Sequence, residues 1–289
     1  MGAGSPAAAG GPEFSLGGEF RYFVPHHDEG FYRLYSKASQ EQWAVAALPW
    51  AELGALDPDW RQGMVALLSP MIVSERGAMQ ACCTMLPQVR AKGDHDAELV
   101  MHAMMLDEAR HWEGLNRMFV AMSSAPRPIS EWKEMLGINL LIMRGASFDQ
   151  WLWGIQISDI IAGNLYAAFK GSTASKPVQE LFAGFLKDEA RHHRFCHLYF
   201  AREAAKFTRE QQRRYRAHAG KLIVKFEGLI CGRLADDMKR IGSDPVVMFE
   251  RIAAAVERQA EEYGFLAWWG CTTNPSGRCP APLGLHNES

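Results

Sequence analysis

Asp107-Glu108-Ala109-Arg110-His111 recurs, residue for residue, as Asp188-Glu189-Ala190-Arg191-His192. Each copy holds a Glu-x-x-His unit. Positions i and i+3 share one face of an α-helix, so each copy aims a carboxylate and an imidazole at one point. Two such helices facing each other, with one further carboxylate from each of two more helices, make a dinuclear metal site in a four-helix bundle. A single Glu-x-x-His is a weak signal. An identical pair about eighty residues apart, each on a predicted helix, is a strong one.

The missing carboxylates are found where charge is costly. Between Arg61 and Arg90 the charged residues are Glu75 and Arg76, and between Asp149 and Lys170 there is Asp159 alone. A carboxylate in an apolar stretch is expensive unless it is paired or binds metal. Glu75 and Asp159 each precede a pentapeptide by about thirty residues, so the sequence reads as two helical hairpins related by pseudo-repetition. The expected ligands are Glu75, Glu108, His111, Asp159, Glu189 and His192. Hard oxygen donors with some nitrogen suit iron or manganese. Four carboxylates balance two divalent ions in a dry interior. Asp107 and Asp188 are expected behind the histidines, holding their ring N–H groups, with Arg110 and Arg191 pairing those aspartates. His193 lies about 100° from His192 on the helix and is not expected to be a ligand.

Helix signals surround these motifs. A short helix is expected within 28–50. Asp57-Pro58-Asp59 starts the next, since acidic residues suit a first turn and Pro a first position. It should run to about Val89, with Ser69-Pro70 kinking or restarting it. Further helices are read over Asp94–Met122, Ile129–Met143, Phe148–Lys170, Lys176–Phe207, Thr208–Ile241 and Pro245–Trp268. No convincing strand alternation is present. The class is all-α: a ferritin-like four-helix bundle with additional helices and one crossover connection.

The chain has 289 residues, 48% hydrophobic and 22% charged, with net charge −2. That is enough for one large domain, taken as 19–270. The mixed charge gives no reason to expect nucleic acid or a membrane surface. Residues 1–18, rich in Gly, Ala and Pro, lack the basic start and apolar stretch of a signal peptide. Gly4-Ser5-Pro6 and Pro12-Glu13-Phe14 resemble cloning-linker scars, and this segment is expected to be disordered. The tail, 271–289, should be irregular. Six cysteines with no Cys-x-x-Cys read as reduced thiols in a cytoplasmic protein.

The repeated [Asp/Glu]-Glu-x-Arg-His pattern resembles that of the ferritin-like di-iron carboxylate oxygenases. It is similar to the bacterial multicomponent monooxygenase hydroxylases and the acyl-carrier-protein desaturases, and more distantly to the ribonucleotide reductase small subunits. The resemblance covers about residues 60–205. It implies two iron ions, with manganese as an alternative, activating O2. It also implies that Asp107 and Asp188 each support the opposite motif's histidine. Two departures stand out: Asp159 replaces the usual Glu, and Leu115 occupies the place of the reductase subunits' radical Tyr. Phe185 stands where one N-oxygenase subgroup has a further His.

The implied activity is oxygenation of a small apolar or aromatic substrate, free or held on a carrier protein. Hydroxylation, N-oxygenation and related oxidations share this ligand set. Met71, Ile72, Met79, Met104, Leu115, Ile155, Gln156 and Gly163, about one turn from the ligands, are expected to line the substrate pocket. With no flavin or nicotinamide motif in the chain, electrons must come from a separate reductase or ferredoxin. A homodimer is compatible with the sequence. An iron-handling ferritin relative and a reductase small subunit without the tyrosyl radical are the alternatives.

Overall fold

Asp57 accepts a hydrogen bond from the backbone N–H of Trp60, and Pro58 follows at the first helical position. From this start α2 runs as Pro58–Ala91. The computed structural model describes residues 28–52, 56–128, 133–143 and 147–265, with the backbone of 14–15 and 19–20. Before α2 lies α1, Glu29–Gln40, capped by the Asp28 side chain. After it come α3 (His95–Ala121), α4 (Lys133–Met143), α5 (Phe148–Gly171) and α6 (Lys176–Ala204). The chain continues with α7 (Arg209–Glu227), α8 (Ala235–Arg240) and α9 (Pro245–Glu262).

α2 packs along α3, and α5 along α6. Each pair is joined by a short turn, so each forms an antiparallel hairpin. The hairpins meet chiefly through α3 and α6, and the link between α3 and α5 carries α4. This is the bundle with one crossover expected from the sequence. Its core is rich in fully buried aromatics, including Trp151, Trp153, Tyr166, Phe182, Phe185 and Phe200. Among the described residues, no helix is long and apolar enough to cross a membrane.

Four local expectations change. Helix α2 passes through Pro70 without ending; burial of Leu67, Leu68 and Met71 on either side outweighs the roughly 3 kcal/mol that an internal Pro costs. The first helix stops at Gln40, and 3-10 turns at Val45–Ala47 and Trp50–Glu52 follow it. The segment read as one helix, Thr208–Ile241, is interrupted by a π-helical stretch, Gly228–Arg233, before α8. Phe14–Ser15, within the segment expected to be disordered, pairs antiparallel with Glu19–Phe20 at the start of the expected domain. The remainder of 1–18, positions 129–132 and the tail 271–289 lie outside the described residues. Cys82, Cys83, Cys196 and Cys231 are free thiols.

At Gly63, α2 comes close against α8. A Cβ there would lie 2.8 Å from the Asp237 carbonyl oxygen and 2.9 Å from the Arg240 Cβ. Neither atom sits on a flexible side-chain end. Gly63→Ala should therefore lower stability by about 1–3 kcal/mol, although Ala is the better helix former by about 1 kcal/mol. A urea midpoint equal to or above the parent's would show that this seam is looser than the distances state.

Candidate metal centre

Glu75 from α2, Glu108 and His111 from α3, and Glu189 from α6 converge so that one ligand atom of each lies within 4.8 Å of the others. All are buried. His192 and Asp159 complete the group from α6 and α5, at 1% and 8% exposure. The i, i+3 spacing on two facing helices is what brings the pentapeptides together here.

The distances reveal an order within the cluster. Glu108 places one oxygen 3.6 Å from His111 Nδ1 and the other 3.3 Å from His192 Nδ1. Glu189 does the same, at 3.5 Å from His111 Nδ1 and 3.8 Å from His192 Nδ1. Each of these carboxylates spans both imidazoles. Glu75 sits on the His111 side, 3.4 Å from its Nδ1. Asp159 is buried close enough to these carboxylates to feel their charge, that of Glu189 more strongly than those of Glu108 and Glu75. Its Oδ2, like Nδ1 of both histidines, is buried without a hydrogen-bond partner among the described residues.

Behind the imidazoles the helices exchange partners. Asp188 from α6 lies 3.2 Å from His111 Nε2, and Asp107 from α3 lies 3.2 Å from His192 Nε2. Arg110 donates to Asp107 at 2.9 Å and to Asp188 at 2.8 Å. Arg191 donates to Asp107 at 3.1 Å and to Asp188. Each guanidinium thus ties both aspartates, and each aspartate fixes the histidine of the opposite helix. The Nδ1 atoms are left turned toward the carboxylates.

Electrostatics show what this pocket lacks. Burial, then the charge of Glu108, raises the Glu75 carboxyl from its ordinary 4.5 to about 8. Burial and the charge of Glu189 raise Asp159 well above the carboxylate range. Burial opposes charge on His111, but Asp188, Glu108 and Glu75 outweigh it and hold its pKa well above the ordinary value. Asp107, Glu108 and Glu189 do the same for His192. So many buried anions demand positive charge at the centre, which protons supply when metal does not. The unpartnered imidazole nitrogens, the spanning carboxylates and the hard donor set fit a pair of iron or manganese ions.

The Glu75 shift has a measurable sign. Between about 4.5 and about 8 the folded chain holds a proton there that the unfolded chain has lost. Its contribution to stability is complete below the lower value and disappears as pH rises through the upper one. With chelator present, the melting temperature should therefore fall from pH 6 to pH 8.5. Manganese binding expels that proton, so its affinity should climb over the same range, about tenfold per pH unit for each proton released. Melts that rise with pH in chelator would contradict this.

Several contacts here were not foreseen from the sequence. Tyr166, two turns beyond Asp159 on α5, donates its hydroxyl to Glu75 Oε1. Its spacing from Asp159 is the one signal that could have found it. Trp43 Nε1 donates to Asp188 Oδ2 at 3.0 Å, and Gln42 accepts from Arg110. Both come from the loop after α1, which the resemblance did not cover. Phe185 packs on the His111 ring at 4.3 Å between centroids. Arg76 turns away from the site, over the Trp112 ring.

An apolar cavity of about 70 Å³ reaches Glu75 from the side of α4 and the π-helical stretch. Met71, Leu67, Ile138, Ala162, Phe169, Leu229 and Ile230 are among its walls. Of the expected pocket residues Met71 lines it, and Ile155 lines a smaller hollow beside it. Ile72, Met79, Met104, Leu115, Gln156 and Gly163 line neither. Met104 and Leu115 are core residues at 3% and 0% exposure. Gln156 faces α9 instead, where its Oε1 accepts from the Tyr263 hydroxyl at 2.8 Å. Helical spacing placed these residues near the ligands but could not say which neighbouring helix stands against each face.

No protein-family model matches the chain, and no curated protein matches it in sequence. Solved structures share its fold. One is a point mutant of an R2-like ligand-binding oxidase with an aerobically reconstituted Mn/Fe cofactor. It overlays with a TM-score of 0.64 at 16% identity, covering 81% of this chain and 97% of that one. The same oxidase in a long-soak structure gives 0.61 at 15% identity, over 81% and 93%. Likeness at this identity establishes the all-α fold.

Proposed function

We propose that the chain is a non-haem dinuclear metal oxidoreductase that uses O2 to oxygenate a small, largely apolar substrate. The resident metals are two iron ions, or manganese and iron as in the oxidases that share its fold. The observation that carries this reading is the double span of Glu108 and Glu189, each with one oxygen toward each imidazole. A surface ion-pair cluster has no reason to bury that arrangement, whereas a carboxylate-bridged metal pair requires it.

Glu75 and His111 would hold one metal ion, Asp159 and His192 the other, and Glu108 and Glu189 would serve both. When bound, the metal pair supplies the redox chemistry and the coordination sites for O2. The protein's own part is positioning. Asp188 and Asp107 hold the Nε2–H of each imidazole, which fixes the tautomer and presents the Nδ1 lone pair inward. Tyr166, its phenol kept protonated by burial and the charge of Glu75, holds the Glu75 carboxylate by one oxygen. The shorter arm of Asp159 leaves more room on the His192 side than Glu would. The apolar cavity keeps water from Glu75 and offers a substrate dispersion contacts in place of hydrogen bonds. Electrons come from a separate reductase or ferredoxin, and the free thiols of Cys82, Cys83, Cys196 and Cys231 fit a cytoplasmic setting.

The test is anaerobic loading with ferrous iron, then O2 with a panel of apolar and aromatic substrates. O2 uptake coupled to an oxygenated product is expected. Ala162→Phe, which fills the cavity, should keep the metal content and lower turnover at least about tenfold, since a misplaced substrate loses its reactive geometry. Iron oxidation with no product from any substrate, in a cage-sized particle, would instead mark an iron-handling protein.

A further inference from the structure

At the start of α5, one stripe of α7 carries Gln211, Arg214, His218 and Lys221. Their 3-4-3 spacing puts all four on the same face. That face lines a hollow of about 540 Å³, closed on its other side by Ser147, Asp149 and Gln150 at the start of α5 and by Leu141 of α4. Arg214 and Lys221 are exposed, and neither has an ion-pair partner among the described residues. His218 is 8% exposed, and its Nε2 has no hydrogen-bond partner there. Burial and the neighbouring Lys221 keep its imidazole neutral.

The start of a 24-residue helix adds to this. Ser147 accepts from the Gln150 N–H, so the first N–H groups of α5 remain as donors at its positive end. Asp149 is the one acid on the rim, and Lys92, 3.6 Å from its carboxylate, offsets its charge. Apart from Asp149, the charged side chains on the hollow are cations, and no other acid lines it among the described residues. From Arg214 to Lys221 the helix rises roughly 10 Å, more than a single carboxylate spans.

We propose that this hollow binds the diphosphate group of a small molecule. Arg214 and Lys221 clamp its two ends, with His218, Gln211 and Gln150 donating between them. Arg offers a bidentate fork and Lys a point charge, the pairing that phosphates favour. The site does not depend on the metal centre, so it stands or falls separately from the oxidoreductase reading.

Calorimetric titration of the full chain with pyrophosphate, in magnesium-free buffer at fixed ionic strength, tests it. Saturable binding is expected, with a dissociation constant of about 10 µM to 1 mM. Arg214→Gln and Lys221→Gln should each weaken it at least about tenfold, as losing one charge-assisted pair does. Both residues are exposed, so an unchanged melting temperature will show that the variants fold. Tighter binding of ADP assigns the diphosphate to a nucleotide, and equal binding assigns recognition to the diphosphate alone; both uphold the site. No saturation at about 10 mM, equal binding by the double variant, or acetate matching pyrophosphate would overturn it.

Discussion

Glu108→Ala should empty the whole centre. Glu108 reaches both imidazoles, at 3.6 Å and 3.3 Å, so its loss unbinds both metal positions together. Metal content should drop from about two ions per chain to near zero. Asp159→Ala should behave differently if, as proposed, Asp159 serves with His192; about one ion should then remain, on Glu75 and His111. His192→Ala leaves both spanning carboxylates in place and should therefore resemble Asp159→Ala rather than Glu108→Ala. Metal analysis of purified, folded variants reads all three. Two ions retained in Glu108→Ala would remove Glu108 from the ligand set and with it the bridged centre.

Asp188→Ala should cost the fold more than any other single change near the site. Asp188 is fully buried. It accepts from Trp43, Arg110 and Arg191, and faces His111 Nε2. Burial works against its charge, but His111 and Arg191 outweigh it and hold its carboxyl down at about 2. Removing it leaves two buried guanidinium groups sharing Asp107 alone. Breaking a buried ion pair from one side costs about 3–5 kcal/mol, or about 2–4 °C of melting temperature for each kcal/mol in a domain near this size. The metal-free protein should therefore melt about 6–20 °C lower. Asp188→Asn keeps the shape and one acceptor, and should lose less stability but as much metal affinity, since the His111 tautomer is no longer fixed by charge. A melt of Asp188→Ala within a degree of the parent would show that the crossed aspartate–arginine set adds nothing to stability.

The bundle and much of its centre could be read in advance because their signals are local. Helical periodicity, the Asp57-Pro58-Asp59 start of α2, and the i, i+3 pairs of the two pentapeptides each lie within a few residues of chain. Glu75 and Asp159 stood out by the cost of charge in apolar surroundings, and the structure brings Glu75 into the cluster with Asp159 beside it. The arginine pairing expected of Arg110 and Arg191 is present too, but shared across the helices: each residue grips both aspartates.

Contacts between distant segments were not available to such reasoning. Nothing near Tyr166 in sequence says that its hydroxyl meets Glu75, 91 positions earlier, or that Trp43 meets Asp188, 145 positions later. The walls of the apolar cavity could not be read for the same reason. Gln156, Leu115 and Met104 sit at the right helical phase, but which helix covers each face is settled by packing. Periodicity and isolated charge determined by themselves that this chain makes a bundle with acids and imidazoles turned inward. Only the tertiary structure decided which carboxylates span both histidines, which hydroxyl holds Glu75 and which side chains wall the cavity that reaches it. Those depend on how side chains from separate helices interlock at close packing, and no local rule of sequence carries that information.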